Sequence, residues 1–362
     1  MSVLMQANNQ WSYRLADERF LSLEDMRAHF HARRAGSRSF VAANHDVRAT
    51  ADQNSDGISI AFRDGRPDVA PTNWSFGQIA TLSGAPASYL RKLPAPLVAD
   101  CINSGLSRRN VDECGFFTTD GGATLRAATG PNYGRVWNSD VVDSVIERFG
   151  DGVTGDWRVP GEFGQAVQVT RGNTTLYGSD RDMWIFLADE KNRIEMPGRR
   201  NGKTGSLARG FFLWNSEEGA ATLGVGTFLF DYVCANRIVW GAAQYKEIKI
   251  RHSSGAPHRF VEEIAPRLAA YADSTTAATL DTLAAARGAI VTDVAEFLAT
   301  RQFNPRQVAA ITAAHEADEG RPMETMWDIV TGTTAYARSI PHQADRVGIE
   351  RRAGELLNLV AA

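Results

Sequence analysis

Three groups of side chains in this sequence have types and spacings that could do chemistry. The first is Gly198-Arg199-Arg200-Asn201-Gly202-Lys203-Thr204, in which glycine amides precede a Lys-Thr pair as they do in a phosphate cradle. The spacing is one residue short of a P-loop, and no strand and helix flank it in the required order. It therefore reads as a flexible basic loop able to hold a polyanion backbone without reading its sequence. The second group is Asn215-Ser216-Glu217-Glu218-Gly219, with Cys234 and Asn236 further along. Asn, Ser and Glu meet a ligand or metal where other groups converge on them, and otherwise form turns and caps. The third is Tyr133, Arg135 and Trp137, behind the Pro131-Asn132 turn. Interleaved aromatic and basic side chains suit base stacking with phosphate contact, although aromatics at such a junction also serve as core. Arg209 belongs to the same Gly/Arg-rich stretch as the basic loop, and Lys249, Arg251 and His252 close a later strand. As a cluster these either meet phosphates or form a polar strand end.

Charge distribution supports the cationic reading. The chain of 362 residues has a net charge of −3, yet positions 191–252 hold ten Lys/Arg against five acids, a local +5 that leaves −8 elsewhere. Such separation is what an anion-binding surface needs, and a solvated surface without a partner is the competing reading. Apolar residues at 43% and charged residues at 22% describe a chain that folds. Cys101, Cys114 and Cys234 form neither a C-x-x-C pair nor a Cys/His cluster at zinc spacing, so structural disulfides and a zinc site are not expected. His29 and His31 stand two apart and point to different sides of a helix. The first ten residues lack a signal-peptide layout, and no uninterrupted apolar run of about 20 residues occurs, so the expected address is the cytoplasm, with no membrane partner. No nucleophile elbow, zinc-protease, dinucleotide or kinase signature is found.

The elements that must position these groups follow from periodicity. Ser22 caps a helix ending near Gly36, and 39–43, 47–51 and 58–62 read as strands of a small antiparallel sheet. A helix starts at Ser75 and stops at Gly84; Pro86 starts another, and Pro94 and Pro96 close that unit. Two strands flank the Asp120-Gly-Gly turn, and 140–149 is an amphipathic helix. Residues 165–188 suggest two strands linked around Gly172-Asn173; a Gly/Arg-rich loop spans 197–210, and strands cover 222–230 and 239–250. After Pro257 alanine-rich helical spacing takes over, with helices at 260–271, 275–287, 291–300, 305–316 and 322–339. The expected fold class is α+β: a mixed, largely antiparallel sheet in the first two thirds and a helical last third. The expected division is an α+β core domain at 1–255 and a helical C-terminal region at 256–362 packed on it.

Asn215-Ser-Glu-Glu-Gly219, Val233-Cys-Ala-Asn236, Arg251-His252 and Thr325-Met-Trp327-Asp-Ile-Val-Thr-Gly-Thr-Thr-Ala-Tyr336 resemble, in order and spacing, the phage/plasmid-like family of unknown function (domain of unknown function 932). Trp74 to Leu93 and Tyr133 share the resemblance, whereas Arg237 stands where the family usually has glycine. The resemblance implies a setting among mobile elements that handle DNA; it implies no activity. The resulting expectation is a protein without catalytic chemistry or cofactor that binds single-stranded DNA, a strand-annealing role included, and self-associates into an oligomer. Its expected contacts are Arg199, Arg200, Lys203, Arg209, Lys249, Arg251 and His252, with Tyr133, Arg135 and Trp137 for stacking. Asn215, Ser216, Glu217, Cys234 and Asn236 form a motif without an assigned role. Two alternatives stand beside it: a protein-interaction or host-defence-inhibiting factor acting through the acidic helical third, and a metal-dependent hydrolase built on Glu217, His252 and further acids not identified from the sequence.

Overall fold

Local capping rules account for how the first elements begin and end. The computed structural model describes residues 9–52, 56–108, 113–160, 168–196, 205–232, 235–240, 247–274 and 277–360. A turn of helix α1 (Asn9–Ser12) and a short strand β1 (Glu18–Arg19) precede α2 (Leu23–Ala35). The Ser22 hydroxyl accepts from the Asp25 amide at 3.0 Å, and Glu24 and Asp25 lie in the first turn, where the helix dipole favours acids. Next come β2 (Arg38–Ala43), β3 (Val47–Ala51), β4 (Ile58–Phe62) and β5 (Ala70–Pro71). The strands expected at 39–43, 47–51 and 58–62 are all present but do not form one sheet.

Helix α3 (Asn73–Ser83) starts two residues earlier than expected, because Thr72 and Ser75 form a reciprocal capping box. Helix α4 (Ala87–Leu90) follows, then α5 (Ala95–Leu106). The expectation that Pro94 and Pro96 close the unit is corrected: they open α5, since proline in a first turn removes only an amide that would have no helical partner. Strands β6 (Glu113–Thr119) and β7 (Thr124–Thr129) form the expected hairpin, to which β2 adds on one side and β5 on the other. β3 and β4 pair with each other. One apolar core, including Trp11, Ile60, Phe76, Ile102 and Phe116, unites these elements into an N-terminal unit.

After α6 (Asn138–Phe149) the described residues build a nine-stranded antiparallel sheet from β1 and eight later strands. These are β8 (Trp157–Arg158), β9 (Leu176–Gly178), β10 (Met183–Asp189), β11 (Ile194–Met196), β12 (Gly205–Asn215), β13 (Leu223–Asp231), β14 (Asn236–Ile238) and β15 (Ile248–Ile250). The main path runs β1-β9-β10-β12-β13-β14. The turn between β9 and β10 lies at Ser179–Asp182 rather than Gly172-Asn173, and Asn236-Arg237, expected as an interruption, is itself strand.

The expected loop at 197–210 is the larger correction. Residues 197–204 lie outside the described residues, but 205–215 form the longest of the described strands. Both faces of the sheet are covered, so β12 lacks the alternation that marks a half-exposed strand. Met183, Ile185, Leu187, Phe211 and Leu213 face α2, α6 and the helical residues after 256. Trp184, Phe186, Phe212, Trp214 and Phe228 fill the opposite face with Val347. Across β12 and β13 three aromatics of this face lie opposite glycines, in the pairs Gly210↔Phe228, Phe212↔Gly226 and Trp214↔Gly224.

The helical end begins with α7 (Ala256–Arg259), a π turn at Phe260–Ile264 and α8 (Ala265–Ala272). It continues with α9 (Ala277–Gly288), α10 (Val294–Thr300), α11 (Pro305–Glu319), α12 (Met326–Ala337) and α13 (Gln343–Leu357). Leu283, Leu298, Trp327 and Leu356 pack against Ile194, Leu207, Leu229 and Ile238 of the sheet. Arg237 and Glu350, both essentially inaccessible, pair at 3.0 Å and tie α13 to β14. Among the described residues no helix is long and apolar enough to cross a membrane.

Candidate functional site

The Asn215–Gly219 motif is the seam between the N-terminal unit and the large sheet. At the end of β12 the Asn215 amide donates to the Val136 carbonyl at 2.8 Å and to Asn138 Oδ1 at 2.7 Å. Ser216 Oγ donates to the Arg181 carbonyl at 2.5 Å and accepts from the Ala220 amide at 2.9 Å. Glu217 Oε1 accepts from the Asn138 amide at 2.7 Å, at the start of α6, where a carboxylate is favoured. Glu218 is fully buried between two cations, Arg33 and Arg126, the latter at 2.9 Å. Burial and the neighbouring Arg33 push Arg126 down to about 9, which leaves it protonated at neutral pH.

Three successive carbonyls of the motif receive donors from the other side of the seam. Ser216 O accepts from the Tyr133 hydroxyl at 2.7 Å and Glu217 O from Arg135 Nε at 3.0 Å. Glu218 O accepts from Trp74 Nε1 at 3.0 Å and Gln78 Nε2 at 2.7 Å. The motif is thus a clasp. Its carboxylates are engaged internally, and among the described residues no three potential metal-ligating side chains converge.

The expected contact residues separate. Tyr133 and His252 come together, their rings stacked 4.9 Å apart at 23°. His252 Nδ1 lies 3.0 Å from the Gly134 carbonyl and therefore carries the hydrogen, while burial lowers the imidazole below its usual range and keeps it neutral. Arg251 is exposed and has no ion pair among the described residues. Arg135 is held under the clasp, its guanidinium 4.0 Å above the Phe117 ring. Trp137 packs edge-on against Phe117 with Arg34 over its face, outside the groove described below.

Arg209 corrects the expectation of a phosphate contact. It is 3% exposed, pairs with Asp189 at 3.0 Å and donates to the Ser274 carbonyl at 2.7 Å. In a fully covered strand the charge needs an internal carboxylate. Lys249 is exposed but paired with Glu247 at 2.7 Å. Asn236 donates to the Thr331 carbonyl at 3.2 Å, joining β14 to α12 rather than serving the seam. Arg199, Arg200, Lys203 and Cys234 lie outside the described residues. Of the expected phosphate contacts, Arg209 is thus spent inside the fold.

A groove does run over the clasp. Two adjoining cavities of about 530 and 760 Å³ share Gln78, Thr129, Gly130 and Gly219 as their common floor. At one end stand Asn73, Trp74, Arg91 and Arg181; at the other, Tyr133, Arg251, His252 and Ser253. Among the described residues no Asp or Glu lines either part. The site can receive an anionic, partly planar ligand. Sequence reasoning missed Arg91, Arg181 and Gln78. The available signal was Trp74 and Gln78 four apart on α3, off the stripe of Phe76, Ile79 and Ala80.

No curated protein and no solved structure matches the chain. A family model covers residues 165–353, from the sheet through most of α13 and including the clasp motif, and on that match the chain belongs to the family described as Domain of unknown function (DUF932).

Proposed function

We propose that this protein binds single-stranded DNA in the groove over the clasp and holds it without cleaving it. The observation that carries this reading is the charge of the groove: arginines at both ends, a neutral floor of Gly, Thr and Gln, and no carboxylate among the described residues of the walls. A polyanion is attracted to such a lining, and a backbone tracking from Arg251 to Arg181 would pass Tyr133 and Trp74, whose rings offer stacking surface. A recess between two units suits a separated strand better than the rigid rod of a duplex. Glu217 and Glu218, engaged by Asn138, Arg33 and Arg126, are not placed to activate water.

Fluorescence anisotropy with a labelled single strand and the matching duplex, at about 50 and about 200 mM salt, tests the reading through the steep salt dependence of phosphate contacts. The single strand is expected to bind more tightly, and Arg251→Gln to weaken binding while lowering the salt slope by about one. Absence of binding by the unmodified protein at the lower salt overturns the reading.

A further inference from the structure

We infer that Arg91 and Arg181, joined through Asn73, form a phosphate-binding subsite at the α3 end of the groove. The inference rests on the groove being a ligand site, as proposed above, but not on the ligand being a polymer.

The two guanidiniums share one residue. Arg91 Nη2 donates to the Asn73 carbonyl and Arg181 Nη2 to Asn73 Oδ1, each at 3.0 Å. Asn73 is in turn fixed by its own amide, which donates to the Trp11 carbonyl at 2.9 Å. Arg91 Nε also donates to Trp11 O. Each guanidinium has about five N–H groups, and most of them remain after these bonds. The oxygens already engaged are neutral, so they fix position without cancelling charge. Arg91 has no carboxylate within ion-pair distance among the described residues. Arg181 has one, Asp180, at 3.5 Å from Nε on the adjacent residue of the turn.

Like charges brought together in a recess are unfavourable unless an anion joins them. Burial first, and then the charge of Arg181, lower Arg91 below the usual arginine range. A phosphate between the two would relieve that repulsion and accept the paired N–H groups that planar guanidiniums present. Trp74, with Arg181 5.0 Å from its ring centre, forms the adjoining wall.

Titration of the full chain with inorganic phosphate, followed by 31P NMR, tests the subsite directly. Arg181→Gln is expected to weaken phosphate binding about tenfold, the loss of one charge-assisted partner. Arg181→Lys, which keeps the charge but loses the planar fork, should give an intermediate value, and Arg306→Gln, on the exposed first turn of α11, should change it less than about twofold. Thermal melts establish that each variant is folded, and the Lys variant carries the test if the Gln variant is not. Absence of phosphate binding by the unmodified protein, or binding unchanged in the Arg181 variants, overturns the subsite. Arg181-dependent phosphate binding without any binding of the labelled strand leaves the subsite standing and removes the polymer reading.

Discussion

At the scale of single residues, the seam depends on matched buried charges. Glu218 is wholly inaccessible and meets Arg33 and Arg126, whose side chains are themselves largely covered. Removing one member of a buried set leaves the others desolvated and unpaired, which costs about 3–5 kcal/mol. Glu218→Gln, nearly isosteric, is therefore expected to lower unfolding free energy by about that amount in chemical denaturation. A loss below about 1 kcal/mol would mean that water already reaches the two guanidiniums. Gly219, next to it, has φ of +81° and would place a Cβ 3.1 Å from Thr129 Cγ2. Only glycine meets that backbone conformation and that proximity without strain, and this residue is part of the floor common to both halves of the groove.

At the scale of elements, β12 and β13 are held in register by rings lying across glycines. A Cβ on Gly226 would come within 2.6 Å of Phe212 Cε1 and Cζ, with no backbone atom among its nearest neighbours. Gly226→Ala is expected to cost about 1–3 kcal/mol through overpacking. The double variant Gly226→Ala, Phe212→Leu should cost less than the sum of the two single changes, because the smaller side chain vacates the space. Additive losses in a double-mutant cycle of denaturation midpoints would show that the ring does not oppose the new methyl. This pairing also explains what the sequence conceals. Helices α2, α3 and α6 are legible from caps, glycine stops and a face that meets water, and the hairpin at Asp120 from its Asp-Gly-Gly turn. β12 is not, because Ser206, Arg209 and Gly210 interrupt a strand buried on both faces and imitate a loop. α13 escapes reading for a similar reason: Glu350 is buried by pairing with Arg237, a partner 113 positions away. The groove was half legible. Tyr133, Arg251 and His252 stand in recognisable motifs, while Arg91 and Arg181 converge only through Asn73, a contact that no local spacing reports.

At the scale of the molecule, separate apolar cores meet along a polar seam, and two buried histidines sit on different elements of that arrangement. His252, beside the seam, faces Tyr133 and Arg135. His315, on α11, lies against α12 within the fields of Asp328, Arg321 and Glu319. Burial is the first cause of a lowered imidazole at both positions, and the nearby arginines act in the same direction. A lowered value means that the folded chain takes up a proton less readily than the unfolded chain does. The unfolded state therefore binds more protons once pH falls below the ordinary histidine value of about 6.5, and the stability present above that value is progressively lost below it. Melting temperature is expected to fall between about pH 7.5 and about pH 5.5, before most carboxylates titrate. His315→Leu, which removes one titrating group beside Met323 and Gly332, should make the fall shallower without abolishing it, because His252 still titrates. An unchanged slope in that variant would show that His315 takes up its proton as readily in the folded chain as in the unfolded one.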